Sequence, residues 1–159
     1  MIIEYNNKYD EQIKDLLVEL QEHIVSIDKE KYNIITDEYR DKYFIKTMEE
    51  IDKYNGKMYL YEEYGMILGL VVGIINNDET HDYDFAAPKR GRVSELIVTK
   101  KIRSKGIGTK LLEYITNYLK ENNCNDILIE VFGYNENAIK FYEKNGYHTR
   151  MIDMIKSDI

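Results

Sequence analysis

The chain contains one cysteine, Cys124, and one proline, Pro88, in 159 residues. A lone thiol excludes an internal disulfide and suits a cytosolic setting. Cys124 lies between Asn123 and Asn125 with no basic neighbour, so it is expected to be inert rather than nucleophilic. Histidine is equally scarce: His23, His81 and His148 are scattered without metal-ligand spacing, and no metal is expected. No stretch approaches the roughly 20 apolar residues needed to cross a bilayer. Met1 to Tyr5 lack the basic start and apolar centre of a secretory leader, so a cytoplasmic protein without a membrane partner is expected. Positive charge is also short, with 22 Lys and Arg against 29 Asp and Glu, a net charge of -7. That argues against a nucleic-acid partner, which needs a broad basic surface. It is compatible with a cationic substrate.

What is present describes a globular α/β chain, 43% apolar and 32% charged, long enough for one domain over 1–159. Ile2 to Tyr5 suit a short strand. Ile13, Leu16, Leu17, Leu20, Ile24 and Ile27 recur at helical spacing, which predicts a helix over about 8–27 with His23 off its stripe. Thr36 has the chemistry of an N-cap for a second helix, with Asp37 and Glu38 in its first turn, Lys53 in its last, and Tyr43, Met48 and Ile51 on its buried side. Strands are predicted at 57–62 and 66–75 around the turn Glu63-Tyr64-Gly65, and at 91–98 after an acidic loop, 76–90, that includes Asp78, Glu79, His81, Asp82 and Asp84. That loop reads as solvated, with lining of a cation site as the sharper alternative. Ile107, Leu111, Leu112, Ile115, Tyr118 and Leu119 form the stripe of a further helix. A strand at 126–132, a helix at 135–144 closed by Asn145-Gly146, and a strand at 147–156 complete the order β-α-α-β-β-β-α-β-α-β. This is a mixed-sheet α/β domain, with 93–132 forming a right-handed parallel crossover. Tyr54, Tyr59, Tyr61 and Tyr64 suit either a half-exposed sheet surface or a homodimer contact. The short C-terminus leaves open that a partner chain completes the sheet.

The densest chemical signal is Arg103-Ser104-Lys105-Gly106-Ile107-Gly108. It lies between a strand and a helix start, where backbone N–H groups at the positive end of a helix dipole suit a diphosphate. A Walker loop needs Lys-Ser/Thr directly after its last glycine, but Thr109-Lys110 follows Gly108 and the upstream glycine is missing. A dinucleotide fingerprint needs a third glycine where Leu111 stands. Both fail on spacing.

Leu96-Ile97-Val98 followed by Arg103-x-x-Gly106-x-Gly108 resembles the acetyl-coenzyme A motif of the GCN5-related N-acetyltransferase (GNAT) family. Asn135-x-x-Ala138-Ile139-x-Phe141-Tyr142-Glu143-Lys144-x-Gly146-Tyr147 resembles the same family's C-terminal motif. The resemblance is strong over about 91–150. It implies a GNAT-like fold, a mixed central sheet with splayed parallel strands and flanking helices. It also implies acetyl-CoA as co-substrate, its pantetheine arm pairing like an extra strand with Leu96, Ile97 and Val98. Backbone N–H groups of Ser104, Lys105, Gly106, Ile107, Gly108 and Thr109 would hold the pyrophosphate, with charge from Arg103 and Lys105.

The implied activity is transfer of acetyl to a primary amine, on a small molecule or a peptide, by direct attack through a tetrahedral intermediate. A backbone N–H near Ile97 or Val98 would stabilise the oxyanion. By resemblance Tyr142 is the general acid for the CoA thiolate, against a plain core aromatic. Asn135 would hold CoA or the splayed strand, cap its helix, or both; Asn137 is a weaker candidate. For the general base, Glu130 comes first. Ile129-Glu130-Val131 resembles the branch that acetylates protein N-termini, and its apolar flanks predict a raised pKa. Glu95 comes second, expected on the same side of its strand as Val93 and Ile97. The competing class is a catalytically inactive acyl-CoA-binding sensor or assembly module that keeps Gly106 and Gly108 without the chemistry. Tyr142 with two strand carboxylates argues against it. A nucleotide-binding protein is a third, weaker reading.

Overall fold

The computed structural model describes residues 1–76, 86 and 88–156. Asp78, Glu79, His81, Asp82 and Asp84 therefore lie outside the described residues. Two compact units divide the chain, 1–129 and 130–159.

The first unit is built on five strands, β1 (Ile2–Glu4), β2 (Lys57–Glu63), β3 (Met66–Asn76), β4 (Arg90–Val98) and β5 (Asp126–Leu128), lying side by side in chain order. The first four pair antiparallel, and β5 runs parallel to β4. Tyr64 and Gly65 both take positive φ, 53° and 78°, in the β2–β3 hairpin, the backbone twist that tight hairpins favour.

Helices α1 (Asp10–Ile27) and α2 (Tyr39–Lys53) cover one face. Ile13, Leu16 and Leu17, one stripe of α1, are buried with Leu60, Leu70, Val72, Ile74 and Ile97. A 3-10 turn at Asn7–Tyr9, capped by the Asn6 side chain, leads into α1. Thr36 is not the N-cap of α2: Glu38 holds that position without a side-chain cap, and the Thr36 carbonyl accepts from Tyr39 N–H instead. Phe44 and Thr47 are the buried residues of α2, while Tyr43, Met48 and Ile51 pack half-buried on the core. Arg40 bridges to Asp15 and Glu11, and Lys14 to Asp41, so α1 and α2 are also joined by ion pairs.

Helix α3 (Ile107–Glu121) covers the other face with Ile107, Leu111, Leu112, Ile115 and Leu119 buried as its spacing predicts. Tyr118 sits at the edge and donates to the Asn55 carbonyl at 2.6 Å. The helix comes close because the sheet places glycines beneath parts of it. A Cβ at Gly73 would stand 2.3 Å from Ile115 Cγ1, and one at Gly91 2.7 Å from Leu119 Cδ1.

Two features move chemistry. On β4 the register with β3 slips: Val93 opposes Gly73 but Glu95 opposes Val72. Ser94 is the extra residue of a β-bulge. Opposed residues share a face, so Val93 joins Gly73 on the α3 side while Glu95 joins Val72 and Ile97 on the α1–α2 side. Glu95 is thus on the side of Ile97 but opposite Val93, correcting the simple alternation expected from sequence. The second feature is the parting of the parallel strands. Pairing of β4 with β5 ends at Arg92↔Leu128, whereas β4 runs on to Val98. The expected strand 126–132 therefore stops at Leu128.

In the second unit, helix α4 (Glu136–Lys144) follows its predicted signals: Asn135 Oδ1 accepts from Ala138 N–H, Asn145 is the C-cap, and Gly146 is left-handed at φ 88°. The strand expected at 147–156 does not form; residues 147–156 are irregular, and Met151, Ile152, Met154 and Ile155 are exposed. An apolar stretch becomes a strand only when another strand takes up its backbone groups.

Candidate active site

The end of β4 is tied down before the chain turns. Thr99 N–H donates to the Leu68 carbonyl. Glu19 of α1 then accepts from Thr99 Oγ1 at 2.9 Å and from Lys100 N–H at 2.8 Å. A carboxylate thereby holds the 3-10 turn Lys100–Ile102. Arg103 Nε reaches back to the Val98 carbonyl at 3.0 Å. Ser104 and Gly106 both adopt left-handed backbone, φ 68° and 75°. Gly106 is the N-cap of α3 and supplies no capping side chain. The first intrahelical acceptor is its carbonyl, reached by Lys110 N–H. The N–H groups of Ile107, Gly108 and Thr109 therefore point out of the helix start without an intrahelical acceptor. An anion-binding concavity needs this alternation of handedness and these donors. Lys100, Lys101, Arg103 and Lys105 surround the turn. Their field reaches α1: His23, half-buried, is held below its ordinary pKa by burial and then by Arg103 and Lys100.

One strand turn upstream sits a buried carboxylate. Glu95 is 8% exposed, and Tyr43 Oη of α2 donates to its Oε1 at 2.6 Å. Burial pushes the carboxyl up from 4.5 to about 7. The Tyr43 hydrogen bond opposes that rise, Glu50 adds to it, and Lys46 and Arg92 oppose it. Tyr43 stacks on Tyr39 at 4.8 Å between ring centroids with 15° between planes. Burial and the neighbouring Glu95 raise both phenols well above the ordinary tyrosine range. A carboxyl titrating near neutrality, gripped from one side and set on the strand that feeds the anion turn, has the properties of a general base.

The first unit therefore brings Glu95, Leu96, Ile97, Val98 and the turn 103–109 onto one strand–turn–helix element. The other candidates belong to the second unit. Glu130 opens it with an exposed side chain. Asn135 caps α4, so its capping reading holds. Tyr142 packs edge-on against Phe141 at 5.1 Å and Tyr147 at 5.7 Å. Among the described residues no group of three His, Cys, Asp or Glu side chains could hold a metal, and no helix is long and apolar enough to cross a membrane.

The model of the acetyltransferase (GNAT) family matches residues 23–147, most of the chain. The chain belongs to the GNAT family. Among curated GNAT relatives, an N-acetyltransferase of Methanocaldococcus jannaschii is 32% identical over 100 residues, 62% of this chain and 57% of that protein. N-alpha-acetyltransferase 30 of Xenopus laevis is 36% identical over 59 residues, 37% of this chain and 22% of that protein. The chain thus spans less than two thirds of the length of these relatives. Solved structures share the fold. The BH1408 protein of Bacillus halodurans, in a mutant form, superposes with a TM-score of 0.86 at 20% identity, covering 100% of this chain and 99% of that one. The aminoglycoside N-acetyltransferase AAC(6')-Iy in complex with CoA does so with a TM-score of 0.69 at 13% identity, covering 99% and 100%.

Sequence reasoning missed three residues. Tyr43 was expected only as a core residue, Tyr39 was not singled out, and Glu19 lay outside the apolar stripe of α1. The only signal for Tyr39 and Tyr43 was two phenols at i and i+4, which share a helix face. Nothing in the linear pattern joins Glu19 to Thr99, which lies 80 positions away.

Proposed function

We propose that this GNAT protein transfers the acetyl group of acetyl-CoA to a primary amine, with Glu95 as general base. The observation that carries the reading is Glu95, a buried carboxyl pushed up to about 7 on the strand leading into the anion turn. The residues fit the donor. Ile107, Gly108 and Thr109 offer outward N–H groups at the α3 start, and a Cβ at Gly106 would point into open space. The backbone of Leu96, Ile97 and Val98, past the last β5 pair, offers an edge for an extended arm.

In the reaction the acceptor ammonium gives a proton to a Glu95 oxygen, directly or through one water. The neutral amine nitrogen then bonds to the thioester carbonyl carbon. A backbone N–H near Ile97 or Val98 steadies the oxyanion. The nitrogen, cationic once bonded, gives up its extra proton; the C–S bond breaks as the oxyanion collapses, and the thiolate takes a proton in its place. Tyr142 is assigned that donation on its motif position. Glu130 was the first choice by sequence; burial is what moves the assignment to Glu95.

The acceptor is a small molecule or a peptide amine. Relatives named for N-alpha-acetylation and for aminoglycosides support amine acetylation without selecting between them. The test is release of free CoA thiol at saturating acetyl-CoA across a panel of peptides, polyamines, amino acids and aminoglycosides. CoA binding without turnover on any amine would favour the sensor or assembly module.

A further inference from the structure

Tyr43 makes a contact that packing alone does not require. Its ring lies between two neighbours on α2: Tyr39 stacks at 4.8 Å, and the Lys46 ammonium stands 5.7 Å from its centroid. The phenol is thereby held along the line to Glu95 Oε1, 52 positions away in sequence and 2.6 Å away in space. A hydroxyl can donate to a carboxylate but must reorganise when that carboxyl is protonated, so the contact favours the ionised form. The other groups facing Glu95 are Glu50 and Lys46 from α2 and Arg92 from its own strand. Of these, Tyr43 donates a hydrogen bond to the carboxylate.

We propose that Tyr43 is a positioning residue for the base: clamped between Tyr39 and Lys46, it fixes the Glu95 carboxylate and sets the pH at which that carboxylate accepts the acceptor's proton. This rests on Glu95 being the base. It also makes α2 part of the catalytic apparatus, since any shift of α2 along the sheet would change the length of one hydrogen bond and hence the working pH. A charge-assisted hydrogen bond of this kind is enough to move a titration by about one pH unit.

The test pairs two readouts in the full chain. Carbon-13 NMR of carboxyl-labelled glutamate, with Glu95 assigned by its loss in Glu95→Gln, follows the titration without turnover. The pH dependence of kcat follows the chemistry. In Tyr43→Phe both midpoints should rise by about one pH unit. KM for acetyl-CoA should stay within about twofold, since the Tyr43 hydroxyl is engaged with Glu95 on β4. Tyr39→Phe keeps the stacked ring and should leave both midpoints in place. If Tyr43→Phe does not fold, 3-fluorotyrosine at position 43, a stronger donor, should lower both midpoints instead. A Glu95 resonance that titrates identically with and without the Tyr43 hydroxyl overturns the proposal. A resonance that moves while the rate profile does not shows that the hydrogen bond exists but Glu95 is not the base. That outcome removes the proposed base and, with it, the role of Tyr43.

Discussion

Replacing Glu95 by Gln keeps the shape and the acceptor for Tyr43 Oη while removing the charge, and its consequences can be worked through two independent observables. The first is rate. With a carboxyl at about 7, the wild-type base is ionised above that pH and loses about tenfold of its active form for each unit below it. Loss of a general base costs about 10² to 10⁴ in kcat. The ratio of wild-type to variant rate should therefore rise from pH 5.5 to 7 and level off above. Taking the ratio cancels the ionisation of the acceptor amine. The second observable is stability. The folded pKa of Glu95 lies above its ordinary 4.5. The carboxyl's contribution to stability is thus fully present below 4.5 and lost as pH rises through about 7. Raising the carboxyl from 4.5 to about 7 corresponds to about 3 kcal/mol. Urea unfolding at pH 5 and pH 8 should show the Gln variant gaining up to about 3 kcal/mol on the wild type between those two conditions. A stability difference that does not change with pH, together with a variant that keeps the wild-type inflection in its rate, would refute the reasoning on both counts.

Three further outcomes follow from the rest of the site. Glu19→Gln weakens the charge-assisted hold on Thr99 and Lys100; KM for acetyl-CoA should rise several-fold, for a loss of about 1 kcal/mol, with kcat little changed. Gly106→Ala forces a Cβ onto φ 75° at a cost of about 1 kcal/mol, and both thermal stability and CoA affinity by calorimetry should fall. Tyr142→Phe should lower kcat by about 10²-fold at constant KM for acetyl-CoA if Tyr142 protonates the leaving thiolate, and steady-state kinetics decide it.

Much of this was legible in the linear pattern because it is local. The α3 stripe, the glycine turn and the Asn135 cap each depend on residues within a few positions of one another, and each appears where spacing put it. What was not legible depends on partners. Helices cover both faces of the sheet, so β4 is buried at every second residue throughout, and a one-residue slip leaves no mark on its hydropathy. Residues 147–156 carry the apolar pairs Met151-Ile152 and Met154-Ile155 yet form no strand, because apolar content reports side chains while strands need backbone partners. Thr36 has the right chemistry for a cap but stands three residues before the helix begins. The preference for Glu130 came from neighbours in sequence; the burial that distinguishes Glu95 comes from α2.

Ser94 divides β4 into two phases. Before it, odd-numbered residues meet α3; after it, even-numbered residues do. The strand therefore carries two independent reading frames of side-chain direction, joined at one position. Deleting that position would make Val93 and Glu95 ordinary neighbours opposite Gly73 and Val72, and every side chain would keep its present face. Pairing Ser94 regularly instead, with the slip taken up after it, would turn the carboxylate away from the phenol that meets it, although neither residue had been touched.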